Sequence, residues 1–357
     1  MFHLDPAYRI TVTPTEIIVD GPRPVKALEN ALEAVEQLLE EKQASVSKGV
    51  SLRLPMSGND KKVMVEILRE LGKRDEGIDA LSFLKLVKDN LRSVVSSNEN
   101  FRLIEILKPE FYEHNRVPGY STAGLIKSKK YPLSSIALAL CGYLGCAVGR
   151  TLVGVNDYVT VVVTPLTSST ERGFTINAER IISHQTGYKD LSTYVGKRKG
   201  RLAGLFPESA LHLLMASLMR STSVSVYAIR EPGGSAPASI FTSMTMRLDR
   251  TYAELRRCGI IDGNGVADDF HGLLEVALDA TNSGSERAAA IRYSVLLYEV
   301  IHGLKPYEEF VYTVDREFMR WVLMDTNKLP NRGDKDFNLY MLQRRSLRIA
   351  RKLSRAI

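Results

Sequence analysis

Three basic segments carry the residue types most suited to chemistry. The first is Lys197-Arg198-Lys199-Gly200-Arg201, with four cations in five positions. Crowded like charges repel, and a phosphate backbone laid along them would relieve that repulsion. Gly196, Gly200 and Gly204 let the chain approach a ligand closely. The second is Lys127, Lys129 and Lys130 beside Tyr120 and Tyr131. Its cations suit phosphates and its rings suit stacking on unpaired bases. The third is Arg344, Arg348, Arg351 and Arg355, whose spacings of four, three and four make one stripe of a helix. Each has a plainer reading. The first two could be solvated loops, and cations near a helix C-terminus are favoured by the helix dipole alone.

The catalytic signals are weaker. The chain has no G-x-x-x-x-G-K-S/T loop, no G-x-G-x-x-G after a strand, no nucleophile elbow, no H-E-x-x-H and no C-x-x-C pair. Asp268, Asp269, His271 and Glu275 form the best acid and imidazole group. Spacings of three and four put Asp268, His271 and Glu275 on one helical face, but a metal needs ligands from a second element too. Carboxylates in a first helical turn are explained by the dipole. His184 sits in a polar stretch and reads as an ordinary loop residue. His3, His114, His212 and His302 have no acid or nucleophile nearby in sequence. The sparse thiols Cys141, Cys146 and Cys258 fit buried side chains in a reducing compartment, not a disulfide framework. No cofactor is expected, and an enzyme is the less favoured reading.

Composition bounds the remaining possibilities. The 357 residues, 44% hydrophobic, suffice for one large core or two smaller ones. The formal charge of +7, from 48 basic and 41 acidic side chains, identifies no ligand by itself. Leu133–Val148 is the most apolar run and falls short of the roughly 20 residues that cross a bilayer. Asp5 and Pro6 interrupt any export signal, so a cytoplasmic protein without a membrane role is expected.

The elements that would position these residues are legible in outline. Residues 8–19 read as two short strands about a proline turn, and 24–43 as a helix with Val25, Leu28, Leu32, Val35, Leu38 and Leu39 on one stripe. Glu29, Glu33, Glu36, Glu40 and Glu41 make its other side acidic, unsuited to nucleic acid and suited to a basic partner. Val50–Leu54 alternates as a strand. Helices are expected at 60–71 and 79–95, a strand at 101–107, and a long connector at 108–132. Leu133–Val148 reads as a buried helix, and 158–164 as a central strand covered on both faces. Residues 189–204 read as a connector, 206–219 as a helix, and 224–229 with 239–248 as a strand pair. Helices at 251–258, 266–281, 285–302, 306–324 and 335–354 suggest a terminal bundle. The expected fold class is α+β: a mixed α/β domain over 1–250 that binds nucleic acid or a complex, and a helical bundle domain over 251–357.

The size, the mixed N-terminal part, the helical C-terminal end and the run Phe101–Tyr143 together resemble the large-subunit family of archaeal type I-A CRISPR interference complexes. Within that run the resemblance rests on the Pro-Gly-Tyr turn at 118–120 and on the small-residue helix containing Cys141-Gly142-Tyr143-Leu144-Gly145. It implies a noncatalytic subunit at the end of the complex that holds the 5′ handle of the CRISPR RNA. Such a subunit helps recognise the short motif beside the target and helps hold opened target DNA, while guide pairing reads the sequence. A separate helicase-nuclease degrades the DNA. The implied partners are target DNA and the RNA-containing protein complex, in a hetero-oligomer. The resemblance assigns no residue to motif reading, and the candidates remain the three basic segments. Two other readings stay open: a structural adaptor outside CRISPR that joins protein partners, and a metal-dependent enzyme built on Asp268, His271 and Glu275.

Overall fold

The computed structural model describes residues 9–12, 17–45, 54, 58–73, 79–107, 130–152, 158–165, 174–176, 187–188, 190–191, 207–220, 223–231, 239–262, 265–279, 284–324, 329–332, 334 and 336–356. The fold is α+β. The described residues fall into two compact units. One is drawn from Met1–Arg201 and Val224–Thr245, the other from Leu202–Ser223 and Met246–Ile357.

The first unit opens with strands β1 (Arg9–Val12) and β2 (Ile17–Asp20), paired antiparallel with Ile10 opposite Val19. Helices α1 (Pro24–Ser45), α2 (Gly58–Glu70), α3 (Ala80–Asp89) and α4 (Leu91–Ser96) follow. Next come β3 (Asn100–Arg102), β4 (Lys130–Pro132), α5 (Leu133–Cys146), β5 (Ala147–Leu152), β6 (Tyr158–Pro165) and β7 (Phe174–Ile176). Strands β8 (Val224–Glu231) and β9 (Ser239–Met246) complete the unit. Three sheets result, ordered β2-β1-β7, β3-β4 and β5-β6-β8-β9. Strand β6 is interior, antiparallel to both neighbours, and Thr160, Val161, Val162 and Val163 are all buried, as the apolar run predicts.

Helix α5 explains why the most apolar run is not a membrane span. Leu133, Ile136, Leu140, Cys141 and Leu144 pack in one core with Leu32, Val35 and Leu39 of α1, Phe83 and Val87 of α3, and Val162 and Ile229 of the large sheet. A helix surrounded by other elements can be apolar all round. Among the described residues, no helix is long and apolar enough to cross a membrane. Burial pushes the Cys141 and Cys258 thiols up, which leaves them inert.

Three local expectations are corrected. The helix expected over 79–95 is broken at Asn90, whose side-chain amide and backbone N–H both donate to the Leu86 carbonyl and end α3. The strand expected over 101–107 is confined to β3. Beyond it, Ile104 and Ile106 plug the core, with Ile106 in a 3-10 turn at Glu105–Leu107. The connector expected over 108–132 ends in β4, where Tyr131 lies opposite Phe101. The strand expected at Val50–Leu54 lies outside the described residues except for Leu54.

Part of the acidic side of α1 is engaged within the unit. Glu36 meets Lys88 and, at 3.5 Å, Lys85, and Lys85 also reaches Glu40 at 2.8 Å. Burial alone would push the Glu36 carboxyl up. Lys88 and then Lys85 outweigh it and hold the group below the usual carboxylate range.

The second unit is a bundle of α6 (Glu208–Met219), α7 (Asp249–Arg257), α8 (Val266–Leu278), α9 (Ser285–Ile301), α10 (Tyr307–Val322) and α11 (Phe337–Ala356). Helix α6 packs on α7, α8 and α9, and α11 packs on α8, α9 and α10. After α7, Gly259 N–H donates to the Arg256 carbonyl and Ile260 N–H to the Leu255 carbonyl. That closure needs the positive φ of 63° at Gly259. A Cβ there would also stand 2.8 Å from the Lys352 side chain.

Helix α3 supplies a direct test of local reading. Asp79 accepts from Ser82 N–H at 2.9 Å and from the Ser82 hydroxyl at 2.7 Å, capping the helix that carries Phe83 and Val87. Asp79→Ala is expected to lower stability by about 1 kcal/mol, with Asp79→Asn restoring most of it. Urea denaturation followed by circular dichroism checks this, and an unchanged midpoint for Asp79→Ala would refute it.

Candidate nucleic-acid interface

Of the three basic segments, the third lies wholly within the described residues. Lys127, Lys129, Lys197, Arg198, Lys199 and Arg201 lie outside them, as does His184. Lys130 opens β4 and is exposed. The pairing sets it opposite Arg102, also exposed. Like charges facing across a strand pair are unfavourable until an anion lies between them. Arg102 carries no sequence signal of its own, because its strand partner is 28 positions away.

Arg344, Arg348, Arg351 and Arg355 all fall on α11 and all are exposed. Leu342, Leu347, Ile349, Ala350 and Leu353 bury the rest of that helix. The four arginines are not equivalent. Arg348 grips Asp269 of α8 through Nε and Nη2, and Arg345 lies 4.0 Å from the same carboxylate. Asp269 is buried, so this contact ties α11 to α8. The hydrogen bond it donates to Asp269 raises the Arg348 guanidinium above its ordinary value, against a smaller opposing effect of burial. Among the described residues, Arg344, Arg351 and Arg355 make no ion pair. The stripe therefore divides into one bundle tie and three cations that face water. At Gly272 of α8 a Cβ would stand 3.2 Å from Arg345 Nη1, so the Arg345 side chain lies across this glycine.

Asp269 is turned to Arg348, while Asp268 is exposed. His271 Nε2 lies 3.1 Å from Ser217 Oγ of α6. The distance suits a nucleophile and base. However, the Ser217 hydroxyl donates to the Leu214 carbonyl at 2.8 Å, so the imidazole faces a lone pair instead of the proton a base would remove. Among the described residues, no group of three or more His, Cys, Asp or Glu could hold a metal ion.

Sequence reading missed a second polar cluster. His212 of α6, Thr251 of α7 and His302 at the end of α9 meet at one point. Thr251 Oγ1 lies 3.1 Å from His212 Nε2 and 3.0 Å from His302 Nε2. His212 Nε2 also lies 3.2 Å from the Arg247 carbonyl, which can only accept. The His212 nitrogen therefore carries the proton, and the buried Thr251 hydroxyl bridges to His302. Tyr298 covers both rings, with centroids 4.2 Å from His302 and 5.3 Å from His212. Burial, then the charge of His302, pushes His212 below the ordinary imidazole range. Burial, then Arg250, does the same for His302.

Two predictions follow from these contacts. Arg348→Ala is expected to destabilise the bundle by about 2 kcal/mol, below the roughly 3–5 of a fully buried pair. The reduction reflects the 46% exposure of the Arg348 side chain and the continued presence of Arg345. Arg351→Ala should change stability by less than about 0.5 kcal/mol. Guanidinium denaturation read by Trp321 fluorescence checks both, since Trp321 is the chain's single tryptophan and is buried in this bundle. Equal losses for the two variants would refute the division of the stripe.

The second prediction concerns pH. Both imidazoles are lowered in the fold, so the unfolded chain binds more protons near the ordinary imidazole value of about 6.5. Their contribution is present above that value and is lost as pH falls through it. The bundle's unfolding midpoint should drop between pH 7.5 and 5.5, and less so in His212→Gln/His302→Gln. An identical pH slope in both proteins would sink the assignment.

The comparison with known families bears on this geometry. The model for CRISPR-associated protein, CsaX matches residues 24–318, covering most of both units. No curated protein matches the chain.

Proposed function

Since the chain belongs to the CRISPR-associated protein CsaX family, and so to the antiviral CRISPR machinery, we propose that it is a noncatalytic subunit of an RNA-guided interference complex. In this reading it is a large subunit of the archaeal type I-A kind, cytoplasmic, bound in a hetero-oligomer with the RNA-containing complex. It helps recognise and hold target DNA. The mixed region ending near residue 250 engages the complex or its RNA, and the bundle of 251–357, with α6 packed in it, lies against DNA.

The observation that carries the reading is the set of three exposed arginines on α11. Arg344, Arg351 and Arg355 face water without a carboxylate among the described residues, on a helix whose fourth arginine is anchored to Asp269. A row of cations on a fixed helix suits the regular spacing of phosphates, and it holds a strand without reading its bases. Lys130 opposite Arg102 supplies a second, shorter basic element in the other unit. We also assign phosphate contact to Lys127, Lys129, Lys197, Arg198, Lys199 and Arg201, on the sequence argument alone. Sequence readout then belongs to the guide RNA and to the motif-reading contacts of the assembled complex.

The test is binding of labelled single-stranded DNA, duplex DNA and RNA across a salt series. Wild type is compared with Arg344→Glu/Arg351→Glu/Arg355→Glu and with a variant neutralised at Lys197, Arg198, Lys199 and Arg201. Wild-type affinity should fall steeply with salt. If all three arginines contact duplex phosphates, the triple variant should reduce the log–log slope by about 2–3. Wild-type binding that neither variant weakens would remove these residues from the interface. No binding by the isolated chain or by the assembled complex would overturn the DNA-holding reading.

A further inference from the structure

Helix α10 presents apolar side chains on both of its faces. Phe310, Val314 and Trp321 are buried in the bundle. On the opposite side, Tyr312, Arg316, Met319 and Leu323 follow spacings of four, three and four, so they make one outward stripe. Tyr312 is 65% exposed and Leu323 79%. Met319, Val322 and Met324 are also exposed around the same end. An amphipathic helix on a bundle surface carries polar residues there, so this apolar outer stripe is out of place in water.

Two arginines frame the stripe. Arg316 lies over the Tyr312 ring, with its guanidinium carbon 5.6 Å from the centroid. Arg320 lies over Trp321 at 4.1 Å. Both are exposed, and neither makes an ion pair among the described residues. Each guanidinium has a ring beside it and a solvent-exposed side chain, and its N–H groups could meet a carboxylate in bidentate fashion. The acidic groups on this helix's outer side are Glu308 and Glu309 in its first turn and Asp315 on the flank. The half from Arg316 to Leu323 is thus cationic and apolar.

We propose that this face of α10 is a docking surface for an amphipathic helix of another protein, with an apolar edge seated on Met319 and Leu323 and carboxylates that meet Arg316 and Arg320. The stripe runs over about three turns, roughly 16 Å, which matches a short helix laid alongside. Tyr, Met and Arg are the residue types enriched at protein interfaces, where a few anchors dominate the binding energy. Nucleic acid fits less well. The stripe offers one exposed ring for stacking, and Met319, Val322, Leu323 and Met324 have nothing to give a phosphate. A second copy of the chain fits less well too, because a twofold contact centred on the stripe brings Arg316 and Arg320 against their own counterparts. This surface is independent of the DNA-holding reading and uses none of its residues.

The test places a benzophenone amino acid at Leu323 of the full chain, expressed in cells that encode the protein. Illumination precedes purification, and the crosslinked peptide is sequenced. The expected product is one protein segment with apolar residues at helical spacing and Asp or Glu beside them. Arg316→Glu/Arg320→Glu should cut the crosslink yield by about tenfold or more, and reversal of the crosslinked carboxylates to lysine should restore it. Trp321 fluorescence melts that match wild type would show that the reversed protein is folded. Crosslinks to nucleic acid, to a second copy, to a segment without that pattern, or to nothing would overturn the proposal. So would a yield indifferent to the charge reversal.

Discussion

A helix with five arginines and a lysine between residues 344 and 355 can join a bundle only if its charges stay in water or meet carboxylates inside. The contact between Asp269 and Arg348 satisfies that constraint where α11 packs beside α8. It has two consequences. The buried carboxylate fixes the rotation of α11 about its axis, because another arginine at this point would shift the apolar residues off the core. That rotation then determines which arginines are left outside. Arg344, Arg351 and Arg355 are exposed because Arg348 is held, with Leu342, Ile349 and Leu353 buried on the other sides.

The other polar ties of the bundle work in the same way. Glu317 of α10 accepts from Arg292 at 2.7 Å and from the Tyr293 hydroxyl, and Gln343 of α11 accepts from Trp321 while its amide lies 3.5 Å from Glu317. Burial, then the hydrogen bond to Glu317, pushes the Tyr293 phenol up and keeps it a donor. Thr251 of α7 joins α6 and the end of α9 through two imidazoles. Apolar packing alone tolerates many helix rotations, whereas each of these contacts accepts few. The bundle therefore has a geometry firm enough for its surface charges to keep a fixed spacing.

The sequence discloses features whose cause is local and conceals those whose cause is distant. Helix α1 is visible in its apolar stripe, and β6 in its run of valines, because the periodicity of burial is written in consecutive residues. The break at Asn90 is not visible, since asparagine is tolerated within helices and only its bond to Leu86 reveals the end. Ile104 and Ile106 alternate like a strand yet serve as plugs in a core formed by helices far from them in sequence. The same rule governs the candidate site. The arginine stripe is legible from spacing, but the different role of Arg348 depends on a partner 79 positions away. His212 and His302 look isolated because Thr251 stands 39 and 51 positions from them. Arg102 becomes notable only when β3 pairs with β4.

Charge count is accordingly a poor measure of what a basic protein does. The acidic side of α1 looks like a surface for a basic partner until Lys85 and Lys88 are seen to occupy Glu36 and Glu40. The arginine row looks uniform until Asp269 claims one member. Only the charges left after such internal pairing create a field that an external ligand can neutralise, and counterions leave a nucleic acid only where such cations displace them. For this chain that remainder includes the outer arginines of α11, the pair Arg102 and Lys130, and the ring-backed Arg316 and Arg320 of α10. The last pair differs from the others in standing beside exposed Met319 and Leu323, where a phosphate chain would leave the apolar surface wet and a protein helix would cover it.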